Sequence, residues 1–389
     1  MDKFVLEYPL DWIESSDLIN ITFLNNVVSS LMEMGVVIKM FPVGYPSYGI
    51  SRMGLDSVIL SFHSYCNEED TWSYKEAPIK GLFCIDPSGY GGWADIALNH
   101  DKYIKKINAV RNYEEILSKY SSQLKSGVSK YKQGALEKGI ESDFILIALQ
   151  VRTDSVADHA YLDIVDVLNY MSELALRKKK KLLIKLHPKC NSEVLKALVY
   201  KLCFSNEWVD VTNGDITQLI QLSNCVVACN SGVSLEALIL NKKVYCFGSS
   251  EWFNITDQIK NISQLDKIFE NDNKNFNLSV YQKKYIAFLL SEYWVRFDDK
   301  ESIKNKLKIL LLSIAQKKLI CSSEEINYLK ILQAQEEYTV KMKRLSLIER
   351  DFETQNQLMK YFRKNPFFIL IYFIKFNLVK LKSKIKFKL

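Results

Sequence analysis

The chain has 389 residues, 48% of them hydrophobic and 25% charged. That is the balance of a soluble globular protein, and the length exceeds one ordinary core, so two domains and an extension are expected. The net charge of +7 is local: nine Lys/Arg and no Asp or Glu fall between Lys360 and Leu389, and without them 43 basic residues face 45 acidic ones, no sign of a basic nucleic-acid-binding body.

The first residues, Met1 to Glu7, lack the basic and apolar regions of a signal peptide. The eight cysteines include no CxxC pair, and those in predicted strands (Cys84, Cys225, Cys229, Cys246) read as small buried hydrophobes. With no run of about 20 apolar residues, a cytosolic protein with reduced thiols is expected.

Along the chain, Leu18 to Met34 has helical periodicity and stops at Gly35. Strands follow at Val36–Phe41, Val58–Phe62 (ending at His63) and Gly81–Ile85, then a Gly-rich loop from Asp86 to Ala94 and a helix from Tyr103 to Leu124. A linker is placed near Lys138-Gly139. The run Phe144–Leu149 reads as a central parallel strand and leads into Gln150-Val151-Arg152-Thr153-Asp154. A helix over Tyr161–Lys178 precedes the strand Leu182–Leu186, which must end at His187-Pro188 because proline cannot continue a central ladder. The strand Cys225–Cys229 runs into Asn230-Ser231-Gly232, a tight turn that opens a helix, and Val244–Gly248 is a further strand. This β-α alternation predicts doubly wound parallel sheets in two Rossmann-like lobes, residues 1–140 and 141–300. Residues 301–389 form a helical extension: a charged helix over Ser322–Phe362, solvated or paired with a second copy, then the aromatic and lysine-rich tail after Pro366. That tail suits an anionic membrane interface, or else docks as a terminal helix.

In open α/β sheets, ligands bind outside the carboxyl ends of the strands. Three segments therefore carry the chemistry. His187, between Lys185 and Lys189, offers a hydrogen-bond donor for a phosphate without permanent charge. Ser231 and the amides of Gly232 and Val233 either cap their helix or bind phosphate, roles that are compatible. Glu236 is either a first-turn acid or a ribose acceptor. Asp154 is a turn residue or a site carboxylate, and Arg152 beside it binds an anionic sugar or holds Asp154 ionised. In the first lobe Tyr90 and Trp93 are a candidate sugar platform, with His63 and Lys75 near the same edge.

Taken together, these residues resemble the capsule-polysaccharide synthesis family that includes bacterial β-Kdo glycosyltransferases. The likeness is carried, over about residues 55–260 and in matching order, by Ser61–Ser64, Tyr74–Ala77, Asp86–Ala94, Leu149–Ser155, Lys185–Pro188 and Asn230–Leu238. It implies a GT-B-like fold, a CMP-Kdo donor, no prosthetic group and no catalytic metal. It implies a retaining mechanism with Asp154 as nucleophile, His63 and Asp86 as further catalytic residues, and a donor site built from Gln150, Arg152, Lys185, His187, Pro188, Asn230, Ser231, Gly232 and Glu236. Tyr90, Trp93 and Lys75 would face a lipid-linked or polysaccharide acceptor, of capsule or O-antigen, at the inner membrane of a Gram-negative bacterium. Gly91 departs from the family pattern, where serine is expected. A sialyltransferase-like enzyme using another CMP-activated acid, and a non-catalytic scaffold of capsule assembly, are the alternatives.

Overall fold

A computed structural model describes residues 4–320 apart from 16, 45–57, 65–69, 129, 131–133, 135–139, 141, 153 and 272–274. The Lys138-Gly139 linker, the Ser322–Phe362 helix and the tail after Pro366 lie outside the described residues.

Two six-stranded sheets form two lobes. The first holds β1 (Phe4–Pro9), β2 (Ile38–Val43), β3 (Val58–Phe62), β4 (Thr71–Glu76) and β5 (Leu82–Asp86). The second holds β6 (Phe144–Ala148), β7 (Lys181–Lys185), β8 (Val209–Thr212), β9 (Cys225–Ala228), β10 (Lys243–Cys246) and β11 (Asp257–Gln258). The twelfth strand, β12 (Val295–Arg296), follows the second lobe in sequence but joins the first sheet, whose order is β12-β5-β4-β3-β1-β2. The chain therefore crosses back, and the helix Lys300–Ile320 packs on the helix Leu18–Glu33 of the first lobe. With two Rossmann-like lobes, the architecture is GT-B-like.

The second sheet, ordered β11-β10-β9-β6-β7-β8, is parallel throughout. Its four inner strands, β10, β9, β6 and β7, are buried on both faces, which is why they read as apolar runs. Ile145, Ile147, Leu182, Ile184 and Val227 pack with the helices Ile164–Lys178 and Glu193–Ser205. The alternate residues Leu146, Leu183, Val226 and Val244 pack with the helices Tyr113–Lys125, Gly232–Ile239 and Val280–Phe288. This two-residue alternation is the pleat seen from both sides.

The first sheet is mixed: β4 pairs parallel with β3 but antiparallel with β5, and β12 is antiparallel to β5. The β4–β5 hairpin turns at Ala77–Gly81, and places Lys75, Glu76 and Pro78 at the edge facing the second lobe.

Candidate functional site

A cavity of about 170 Å³ lies between the lobes, at the carboxyl ends of β4, β6, β7 and β9. His187 and Asn230 both line it, but their strands are not neighbours, because β6 runs between β7 and β9. Gln150, just past β6, joins the two sides: its Oε1 accepts from the Asn230 backbone N–H at 3.3 Å.

Asn230 acts as a clamp. Its Nδ2 donates to the carbonyls of Val156 (2.6 Å) and Ser249 (2.9 Å), tying together the loops after β6 and β10. The amide hydrogens expected to reach a ligand are thus spent on backbone. Ser231 caps the helix Gly232–Ile239 by accepting from Val233 N at 3.4 Å, and Gly232 opens that helix against Pro78 of the other lobe.

Lys185 is buried and donates to the Gly214 carbonyl at 2.7 Å. His187 is half-buried next to Pro188, and its Nδ1 accepts from the Lys189 backbone N–H at 3.1 Å. A neutral ring then carries its proton on Nε2. Burial depresses the imidazole pKa, with Asp154 opposing and Lys189 adding to the shift. The ring is therefore a neutral donor at pH 7.

Glu236 points from the helix Gly232–Ile239 into the cavity wall. It is 7% exposed, its Oε2 has no hydrogen-bond partner among the described residues, and burial, aided by Asp215, pushes its pKa to about 7.

Asp154 lies at the centre, half-buried, and accepts from the Ser155 hydroxyl at 3.3 Å. Its charge is felt by Lys75, Lys130 and His187, which line the same cavity. Lys75 ends in the cavity with its ammonium 4.0 Å from the Tyr90 ring centroid. Burial lowers its pKa to about 8, Asp154 opposing and Lys130 reinforcing.

Sequence reasoning did not single out Lys130 or Glu251, which also line this space. Lys130 sits in the connection between the lobes, where burial lowers its pKa. Glu251 is buried just past β10. Burial raises its pKa, against its own backbone amide and that of Gly91 across the cleft. The one signal available for Glu251 was an acid beside Trp252 shortly after a buried strand.

Of the expected first-lobe site residues, Asp86, His63 and Trp93 do not line the cavity, and Tyr90 does. Asp86 is 1% exposed and saturated: Oδ1 accepts from the amides of Ser88 (2.8 Å), Gly89 (3.0 Å) and Asp95 (3.0 Å), and Oδ2 from the Tyr293 hydroxyl. It shapes the Gly-rich loop and does not line the cavity. His63, at φ +59°, stacks on Tyr90 with centroids 4.7 Å apart, behind the cavity wall. Tyr90 lines the cavity but offers little open ring face. It is 3% exposed, His63 and Lys75 occupy its faces, and its hydroxyl is 2.6 Å from Ser155 Oγ. Trp93 packs edge-on against His159, centroids 4.0 Å apart. Gly91, at φ +62°, explains the departure from serine: a Cβ there would be strained and 3.2 Å from Val156 Cγ1.

Arg152 turns away from Asp154 and pairs with Asp163 at 3.0 Å, both side chains buried. They line a second cavity of about 210 Å³ on the other side of Gln150. Asp163 also caps the helix Ile164–Lys178 through Val165 N. No cluster of His, Cys, Asp and Glu suited to a metal occurs among the described residues.

A sequence profile for the capsule polysaccharide biosynthesis protein family matches residues 96–291. Among solved structures the chain is similar to the β-Kdo 2,7 transferase of Thermosulfurimonas dismutans KpsC, at 14% identity over 79% of this chain and 99% of that one, with a TM-score of 0.45. The β-Kdo 2,4 transferase of the same KpsC gives 14% identity, 78% and 99% coverage and a TM-score of 0.43. Methanocaldococcus jannaschii UDP-GlcNAc 2-epimerase gives 11%, 80% and 99%, and 0.35. No curated protein matches the chain.

Proposed function

Since the chain belongs to the capsule polysaccharide biosynthesis family, we propose that it is a retaining glycosyltransferase that moves Kdo from CMP-Kdo to a surface polysaccharide. The observation that carries this reading is the setting of Asp154. It lies in a cleft between two lobes, faced by Lys75, Lys130 and His187, beside a helix N-terminus at Gly232.

In this mechanism the phosphate of the donor rests against the His187 Nε2–H and the start of the helix Gly232–Ile239, where the dipole favours an anion. Glu236 accepts from the ribose hydroxyls, which would supply the partner its Oε2 lacks. Asp154 attacks the anomeric carbon, a C–O bond forms to its carboxylate, and CMP departs with the electron pair of the broken bond. The acceptor hydroxyl then displaces the Asp154 carboxylate. Its proton passes to a carboxylate in the same cavity, Glu251 being the one that also touches Gly91 of the other lobe. Two inversions retain the anomeric configuration. No step uses a metal.

The test is a donor panel, CMP-Kdo, CMP-sialic acid and UDP-sugars, with wild type and Asp154→Asn, beside calorimetric titration of CMP. Transfer from CMP-Kdo by wild type, with CMP bound equally by both proteins and turnover lost in Asp154→Asn, is expected. Near-normal turnover of Asp154→Asn removes Asp154 as nucleophile, and preference for another donor removes Kdo.

No helix among the described residues is long and apolar enough to cross a membrane. We assign attachment to an anionic inner-leaflet surface to residues 366–389, on composition. Liposome co-sedimentation unchanged by deleting them would refute this.

A further inference from the structure

Most lysines with partners in this molecule are committed. Lys185 donates to Gly214 O at 2.7 Å, and Lys102 pairs with Asp95 and Lys283 with Glu114. Lys75 and Lys130 differ. Both reach the interlobe cavity, where the charge of Lys130 adds to the lowering of the Lys75 pKa. Lys75 Nζ has no carboxylate within ion-pair distance among the described residues and rests over the Tyr90 ring. Among the described residues Lys130 Nζ has one weak acceptor, Ala77 O at 3.4 Å, although an ammonium offers three donors. Asp154 faces both.

We propose that Lys75 and Lys130 form a subsite for a carboxylate borne on the carbon that Asp154 attacks, so that the cavity selects donors of sugar acids over donors of neutral sugars. The inference rests on the functional reading above and names the feature of the donor that the first-lobe side of the cleft recognises. In a 2-keto sugar acid the carboxylate is bonded directly to the anomeric carbon. An aspartate that approaches this carbon must come beside a second carboxylate, and like charges at that range repel strongly in a half-dry cavity. A neutral sugar poses no such problem. Two ammoniums in the same cavity as Asp154, one from the first lobe and one from the connection, remove the repulsion and fix the carboxylate. The phosphate has its own donors on the other lobe, His187 and the helix start, so the two negative charges of the donor meet separate sets of groups.

The experiment compares the competitive inhibition constant of CMP with kcat/KM for CMP-Kdo in the full-length wild type, Lys130→Gln, Lys75→Gln and Lys130→Arg, each checked by thermal melting. CMP lacks the carboxylate, so only the donor should register its loss. The expected result for Lys130→Gln is a fall of about 30-fold in kcat/KM, the scale of one charged hydrogen bond, with CMP inhibition within about twofold. Lys75→Gln gives the same divergence with an unchanged melting profile, and Lys130→Arg recovers most of the loss because it keeps the charge. A parallel fall in CMP binding and kcat/KM overturns the inference, for the lysines would then serve the nucleotide or the fold. Unchanged kcat/KM in both Gln variants also overturns it. A wild type blind to CMP sinks the functional reading, and this inference with it.

Discussion

Gly92 of the first lobe lies against the imidazole of His159 of the second so closely that a Cβ on Gly92 would fall 2.6 Å from Cδ2 and 2.7 Å from Nδ1. The ring belongs to the turn Ser155–His159, which begins one residue after Asp154. The lobes thus meet through bare backbone on one side and a flat ring on the other, next to the proposed nucleophile. Gly92→Ala is expected to push the Asp154 turn away from the Gly-rich loop, cutting transfer by about 10-fold or more, because displacement of about 1 Å in a reacting group has that effect. The second-site change His159→Ala should restore much of the rate by removing the clash. Kinetics of the single and double variants check this; additive losses would show that the contact is not the cause.

Glu236 presents a cleaner thermodynamic test. Its folded pKa of about 7 lies above the ordinary value of 4.5, and its Oε2 has no partner among the described residues. A raised folded pKa means the fold holds a proton that the unfolded chain has released between pH 4.5 and 7. This contribution to stability is complete below 4.5 and lost as pH rises through 7. Glu236→Gln removes the titration, so the variant should match wild type near pH 4.5 and exceed it above pH 7 by roughly 3 kcal/mol at most. Denaturant unfolding at the two pH values measures the difference; equal stability at both refutes the buried, unpartnered carboxylate. The same variant should bind CMP more weakly if Glu236 takes the ribose.

Asp86 serves the fold. Removing its carboxylate would strand three backbone amides and the Tyr293 hydroxyl in a buried site. Asp86→Ala is expected to lose about 3 kcal/mol or more, since each orphaned donor costs on the order of 1 kcal/mol. Asp86→Asn keeps an acceptor oxygen and should lose less. Because Asp86 does not line the cavity, folded Asp86→Asn should keep turnover within about fivefold of wild type. A collapse of kcat without loss of thermal stability would return Asp86 to the chemistry.

The second lobe was legible because its sheet obeys a simple rule. β6, β7 and β9 are short apolar runs, each halted by a polar or proline turn at the edge where ligands bind, and Gln150, His187 and Ser231 follow from those stops. The first lobe was harder. β4 carries Thr71, Ser73, Lys75 and Glu76 and is not among the strands expected from the sequence. It is a central strand because its polar groups are bonded inside, as Ser73 Oγ is to Ser64 O at 2.7 Å and Tyr74 OH to Glu7 O at 2.5 Å. β1 is broken in pattern by Glu7, which is buried and accepts from the Ser61 hydroxyl at 2.6 Å. Residue type pointed to Asp86 and Tyr90, but burial decides their role and has no local signature. Lys130 and Glu251 enter the cavity from distant parts of the chain, and only the closure of the two lobes brings them there.

Lys75 gives the cavity a dependence on pH. Burial is the main reason its pKa falls to about 8, with Lys130 adding to the shift and Asp154 resisting it. An anion bound beside it stabilises the charged form, so at pH values above 8 binding must take up a proton, and affinity declines as pH rises. Below that value the lysine is already charged and its contribution should be flat, leaving only the titrations of His187 and of Glu236, whose pKa is about 7. Since Lys130 is also depressed by burial, the decline should steepen beyond the range of Lys75 alone. CMP-Kdo turnover measured from pH 6.5 to 9.5 should show a downward bend near 8, with about a tenfold loss per pH unit at most for each lysine that titrates. Lys75→Gln should lower the plateau and remove the bend near 8. A bend that stays near 8 in that variant would assign the titration to another group.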